Sequence, residues 1–206
     1  MKRVIGALKD LFESAALNGD DAGEAAAFAL KHVKWSSALQ PTEPRSPAVV
    51  DECLESLCTS AGQYGSNAHM IGEAILGAKD QIRWNLWGEG NADEPDIEAF
   101  QNRFAYCSIF GSNGPLVSDK IAGGFSIQAP DIYYPPHAHQ AVETYWIIGG
   151  DGDWKIGSDP WFPVESGTLI HHETGIRHAM QTNHSALLTV WLWTTHVDSP
   201  LVMVRG

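Results

Sequence analysis

Near residue 80 the spacing of apolar residues changes, and that change restricts the chain to a helical first part and a β-rich second part. In the first part, Val4, Leu8, Leu11, Phe12 and Ala15 recur at helical intervals. The run NGDD at 18–21 then supplies a stop and an acidic start for a second helix through AGEAAAFALKHVKW. A third helix is predicted after Pro44 and Ser46, with Val49, Val50, Cys53, Leu54 and Leu57 on one side. A fourth covers about residues 66–78, with Met70, Ile71, Ile75 and Leu76 apolar.

Beyond that point Trp84, Leu86 and Trp87, then Phe100, Phe104, Tyr106, Ile109 and Phe110, sit in short segments separated by Gly, Asn, Asp and Pro. Strand-like segments follow to the C-terminus: AGGFSIQAP, ETYWIIGG, GDWKIG, GTLIHH, RHAMQT and ALLTVWLWTT. Many short strands punctuated by turns point to a small β-barrel or sandwich. The expected organisation is a helical extension over residues 1–80 packed on a barrel over residues 81–206.

Composition narrows the function. The 206 residues are 44% hydrophobic, enough for a sizeable core. A formal charge of -12 argues against nucleic acid and anionic membranes, because phosphate neutralisation needs a concentrated Lys/Arg surface. Lys9, Asp10 and Glu13 interrupt the N-terminal apolar residues before a signal-peptide core forms, and no run approaches the roughly 20 apolar residues of a membrane span. A soluble, cytoplasmic protein is expected. Cys53, Cys58 and Cys107 match no common zinc spacing and are read as buried apolar residues.

The chemistry concentrates in YYPPHAHQAVETYW, Tyr133 to Trp146. In a strand, residues two apart share a face, so His137 and His139 project together and can share one metal ion. Glu143 and Tyr145 have the same parity, yet a straight strand would carry Tyr145 about 26 Å from His137. A turn after His139 is therefore required. Downstream, GTLIHHETGIRHAMQTN offers His178 as a further ligand, with Gly167 and Gly175 permitting tight turns.

Together the two stretches resemble the paired motifs of the cupin superfamily. His137, His139, Glu143 and Gly150 fit G-x5-H-x-H-x3–4-E-x6-G, with Asp131 at the opening Gly. Gly167, Gly175 and His178 fit G-x5-P-x-G-x2-H-x3-N, with Glu173 at the Pro and Asn183 one residue late. The implied fold is mainly β, a cupin jelly-roll barrel (double-stranded β-helix) with an N-terminal α-helical extension. The pattern Y-x2-H-x-H-x3-E-x-Y, formed by Tyr134, His137, His139, Glu143 and Tyr145, resembles the cupin-type dimethylsulfoniopropionate (DMSP) lyases of marine bacteria, nearest the DddQ branch.

That resemblance implies that His139, Glu143 and His178 hold one divalent or redox-active metal ion (zinc, iron or manganese). Tyr145 would be a further oxygen ligand and the catalytic base. His137 would stand beside the ion as a weaker ligand or proton-handling neighbour. Tyr134 and Trp193 would contact the substrate, although packing roles stay open for both, and Trp191 shares the strand side of Trp193. The implied reaction is β-elimination of DMSP to dimethyl sulfide and acrylate.

Two other readings are an iron dioxygenase acting on a small organic acid and a non-catalytic small-ligand-binding cupin. A homodimer through a sheet edge or the helical arm is compatible with the pattern. His171, His172, His184 and His196 fall outside the matched positions and are read as exposed or core-satisfied. The acidic runs DDAGE and GNADEPDIE follow no EF-hand loop and are read as solvated turns.

Overall fold

The structure is a computed structural model that describes residues 1–61, 65–87 and 98–204. The acidic stretch at 90–97 lies outside the described residues. Four helices come first: α1 (Lys2–Ala15), α2 (Asp21–His32), α3 (Ala48–Ala61) and α4 (Ser66–Leu76). The stop and start at NGDD is visible as a cap, since the Asp20 side chain accepts the Gly23 N–H at 2.7 Å at the head of α2. In α3 all five residues expected on one side are buried. Met70 of α4 departs from expectation: it is 39% exposed, because Ile71 and Ile75 define the inward face and Met70 lies beside it.

Next come β1 (Asn85–Leu86), a short helix α5 (Glu98–Gln101), β2 (Phe104–Phe110), β3 (Ala122–Gln128) and β4 (Tyr133–Ala138). They are followed by β5 (Glu143–Ile156), β6 (Phe162–Glu165), β7 (Leu169–His172), β8 (His178–Gln181), β9 (Leu187–Trp193) and β10 (Val202–Met203). The order across the sheet is β1-β2-β3-β9-β5-β8-β4-β10, and β6 and β7 also pair with β5. All pairings between these strands are antiparallel. The result is a mainly β, antiparallel barrel, with helices at the N-terminus.

One expectation is corrected here. ETYWIIGG and GDWKIG are not two strands but the single fourteen-residue β5. Its first half pairs with β9 and β7 and its second half with β6 and β8, so it carries the chain from one sheet to the other. The glycines bend the strand instead of ending it. A register shift between Ile147 and Gly149 bulges it against β9, and Gly150 takes φ +82° where an added Cβ would run into the Ala186 carbonyl oxygen.

The apolar faces of α1 to α4 share one cluster with the outer side chains of β2, β3, β5 and β9. Phe12 of α1 sits at its centre, 5.3 Å from the Trp146 ring and 6.1 Å from Phe110. Burying an aromatic side chain of this size stabilises by about 1.5–3 kcal/mol, which fastens the helices to the barrel wall. Cys53, Cys58 and Cys107 are free and buried, as expected. A second cluster lines the barrel interior, with Trp87, Phe100, Phe104, Tyr134, Tyr145 and Trp154 among its members. Among the described residues no helix is long and apolar enough to cross a membrane.

Candidate metal centre

Strand register assembles the site. β4 ends at Ala138, the chain bends at Gln140 and Ala141, and β5 begins at Glu143, so the required turn after His139 is present. Pairing of β4 with β8 sets His137 opposite His178, with an irregularity at the Pro135–Pro136 pair. Glu143 faces His172 of β7 on one side and Trp193 of β9 on the other. Asp131, at the position of the opening motif Gly, adopts φ +56°, a left-handed conformation that Asp tolerates better than most residues. The Gly175 N–H donates to the His139 carbonyl at 2.9 Å, which ties the second motif to the first.

His139, Glu143 and His178 are buried and offer ligand atoms that all lie within 4.8 Å of one another. His139 Nε2 is 3.0 Å from Glu143 Oε2, and His178 Nε2 is 3.6 Å from it. Hydrogen bonding determines which nitrogen is free. His137, His139 and His178 each hold Nδ1 about 3 Å from a backbone carbonyl, of Pro135, Ala141 and Ile176 in turn. A carbonyl only accepts, so each Nδ1 carries a proton and Nε2 is left as the ring's potential ligand atom, that of His139 within hydrogen-bond distance of Glu143 Oε2. His178 Nε2 is buried without a hydrogen bond. Nitrogens converging on one buried carboxylate suit a shared cation, and orientation of each ring through its far nitrogen is the usual support of a metal ligand. The donor set fits a bound cation, which the buried His/Glu triad could hold.

The electrostatics agree. Burial opposes ionisation of Glu143, but the bonds from His139 and His172 outweigh it and hold the carboxyl down to about 2. Burial lowers His137 to about 3 and drives His178 well below the usual imidazole range, helped by its neighbouring imidazoles. His139 is raised, because Glu143 and the Ala141 carbonyl outweigh its burial. The Tyr145 phenol is pushed well above its ordinary value, first by burial and then by the Glu143 charge, with Tyr134 and a bond to Glu143 adding to it. Left to the protein alone, Tyr145 is a neutral phenol.

The remaining expected residues fall nearby in different ways. His137 is 1% exposed and stacks on Tyr134, with ring centroids 4.0 Å apart, and its ring lies 4.1 Å from that of His178. Tyr134 packs against Phe100, Phe104 and Trp87 as well. Trp193 tilts over His139 and donates its indole N–H to Glu143 Oε1 at 2.7 Å. Trp191 donates to the Phe125 carbonyl at 3.2 Å. A cavity of about 440 Å³ opens onto these groups, lined by His139, Glu143, Tyr145, Tyr134, Trp191 and Trp193 among others.

Sequence reasoning missed one member. His172 was assigned an exposed or merely core-satisfied place, but it is 1% exposed, its Nδ1 lies 3.5 Å from Glu143 Oε2, and its ring stacks on His178 at 3.8 Å. The sequence carries no signal for it, since Leu169 and Ile170 are both apolar; in the structure β7 alternates exposed, buried, intermediate, buried from Leu169 to His172, which turns Ile170 and His172 inward. Of the other three histidines set aside, His171 lies 2.9 Å from Thr144 Oγ1, while His184 and His196 are exposed.

Residues 25–189 match the family profile of dimethylsulfoniopropionate lyase. A curated relative, dimethylsulfoniopropionate lyase DddQ of Ruegeria pomeroyi, is 28% identical over 166 residues, which span 80% of this chain and 78% of the relative. The putative dimethylsulfoniopropionate lyase DddL of Cereibacter sphaeroides is 32% identical over 109 residues, 52% of this chain and 45% of the relative. The crystal structure of DddQ from R. pomeroyi superposes with a TM-score of 0.74 at 23% identity, covering 98% of this chain and 96% of that one. A chain from the crystal structures of the DMSP lyases RdDddP and RnDddQII gives 0.75 at 18% identity over all of both chains. With four fifths of its length inside the profile, the chain belongs to the dimethylsulfoniopropionate lyase family.

Proposed function

We propose that this protein cleaves DMSP by metal-assisted β-elimination, with His139, Glu143, His178 and the Tyr145 oxygen holding the ion and Tyr145 acting as base. The observation that carries the reading is the convergence of the His139 and His178 Nε2 atoms on the buried Glu143 carboxylate, all within 4.8 Å, with Tyr145 bonded to that same carboxylate. Zinc, iron and manganese all suit His, carboxylate and phenolate donors. When bound, such an ion favours phenolate over phenol and supplies a positive partner for a substrate carboxylate.

The chain's own residues supply the rest. Tyr145 accepts the proton from the carbon next to the substrate carboxylate, and the C–H electron pair becomes the new C=C bond. The C–S pair leaves with sulfur, giving neutral dimethyl sulfide and acrylate, and the phenol proton returns to water. Dimethyl sulfide leaves without protonation, so one base suffices. The aromatic faces of Trp191 and Trp193 in the cavity wall suit the sulfonium methyl groups, with an attraction of about 0.5–2 kcal/mol. His137, kept neutral by burial, supports the site through its stack on Tyr134.

The test is headspace dimethyl sulfide from purified, metal-loaded protein supplied with DMSP, run with and without oxygen. Product in both atmospheres is expected. Tyr145→Phe is expected to lose at least about a hundredfold in kcat, the scale of a general base, while retaining metal through the His/Glu triad. An oxygen requirement, or full activity in Tyr145→Phe with normal metal content, would overturn the assignment.

A further inference from the structure

Beyond the three ligand residues, the barrel contains a polar chain that crosses its core behind Glu143. Trp154 of β5 is fully buried, and its indole N–H donates to His172 Nε2 at 3.0 Å. An indole nitrogen only donates, so His172 Nε2 is the acceptor and the proton of the neutral ring sits on Nδ1. Nδ1 has no hydrogen bond of ordinary length, and it lies 3.5 Å from Glu143 Oε2, with its ring laid flat on His178 at 29°.

This arrangement also bars His172 from acting as a ligand. A metal on Nδ1 would force the proton onto Nε2, where it would meet the Trp154 N–H head on. A metal on Nε2 would have to displace that N–H. His172 therefore faces the centre as a donor, whereas His139 and His178 keep Nε2 for the metal position. Glu143 Oε1 then receives the Trp193 N–H at 2.7 Å, and Oε2 faces His172 Nδ1 across 3.5 Å.

We propose that His172 is a positioning residue: Trp154 locks it in the Nδ1–H form, and that N–H aims the Glu143 carboxylate at the metal position. The proposal rests on the reading of His139, Glu143 and His178 as the metal ligands. It assigns His172 no contact with substrate. Because the donor is neutral and buried, it orients Glu143 without competing with the cation for the carboxylate charge.

Two measurements test it. In wild-type protein labelled with ¹⁵N-histidine, the ring of His172 is expected in the Nδ1–H form whether or not DMSP is cleaved, and an Nε2–H signal would overturn the proposal. Zn²⁺ affinity, read by competition with a chromophoric chelator, is then compared in three variants. His172→Leu is expected to weaken Zn²⁺ by about 10–100-fold, the usual effect of losing an outer partner. His172→Asn places an amide N–H where Nδ1–H stood and is expected to recover most of that loss. Trp154→Phe keeps a ring but frees the tautomer, and is expected to fall between the two.

Thermal melting of each variant separates orientation from folding. Equal Zn²⁺ affinity in His172→Asn and His172→Leu, or full affinity in His172→Leu, would sink the proposal. Failure of wild-type protein to release dimethyl sulfide would overturn the proposed function but leave both measurements readable.

Discussion

Trp193→Phe separates two roles that one side chain could play. The indole N–H donates to Glu143 Oε1 at 2.7 Å, and that carboxylate is only 3% exposed. A hydrogen bond to a charged group contributes about 1.5–3 kcal/mol, more than a neutral one. At about 1.4 kcal/mol per factor of ten, its loss corresponds to roughly 10–150-fold in any equilibrium that depends on Glu143. Phe keeps the ring over His139, where the centroids are 4.5 Å apart, so the effect reports the N–H and not the stack.

The assay titrates metal-free protein with Zn²⁺ against a chromophoric chelator, then measures kcat and KM for DMSP at saturating metal. Zn²⁺ affinity is expected to fall by about 10–100-fold, with KM shifting by less than about threefold because an aromatic face remains for the sulfonium. Unchanged Zn²⁺ affinity with a tenfold rise in KM would refute this reasoning. Trp193 would then serve the substrate, and Glu143 would need no help from it.

Gly150→Ala is expected to destabilise by roughly 3 kcal/mol or more, from left-handed strain plus collision with the Ala186 carbonyl, and to lower Tm by about 6–12 °C. A shift under about 2 °C would show that β5 relaxes at no cost. Burial pushes the Cys107 thiol up to about 12, and burial with the Glu73 charge does the same for Cys58, so native protein at pH 8.5 should not react with a thiol reagent until unfolded. A folded value above the ordinary 9.0 means that the native state holds its proton longer. Stability from this source is complete below pH 9 and is lost as pH rises toward 12, and the alkaline decline of Tm should be shallower in Cys107→Ala.

Local chemistry made much of the fold legible. The helical spacing of Val4, Leu8, Leu11 and Phe12 and the Asp20 cap lie within a few residues of the elements they specify. The same holds for the candidate site: His137 and His139, then Glu143, are separated by one turn, and strand length alone demanded that turn. Asp131, at the opening Gly of the motif, takes a left-handed conformation that a Gly also allows.

What required the tertiary structure depends on strand register. Leu169 and Ile170 are both apolar, so alternation within GTLIHH does not say whether His171 or His172 turns inward; pairing of Glu143 with His172 decides it. The bonds from Trp154 to His172 and from Trp193 to Glu143 join residues 18 and 50 positions apart, across strands whose alignment no local pattern encodes. Likewise, two glycines that read as a strand end became a bend, because β6 and β8 take up the pairing of β5 where β9 ends opposite Gly150, and the Ala186 carbonyl packs against Gly150. By itself the sequence singled out the candidate ligands His139, Glu143 and His178, since ligand chemistry and turn spacing are local. Only the packed barrel decided which neighbours orient them, because burial and cross-strand register are properties of the whole sheet.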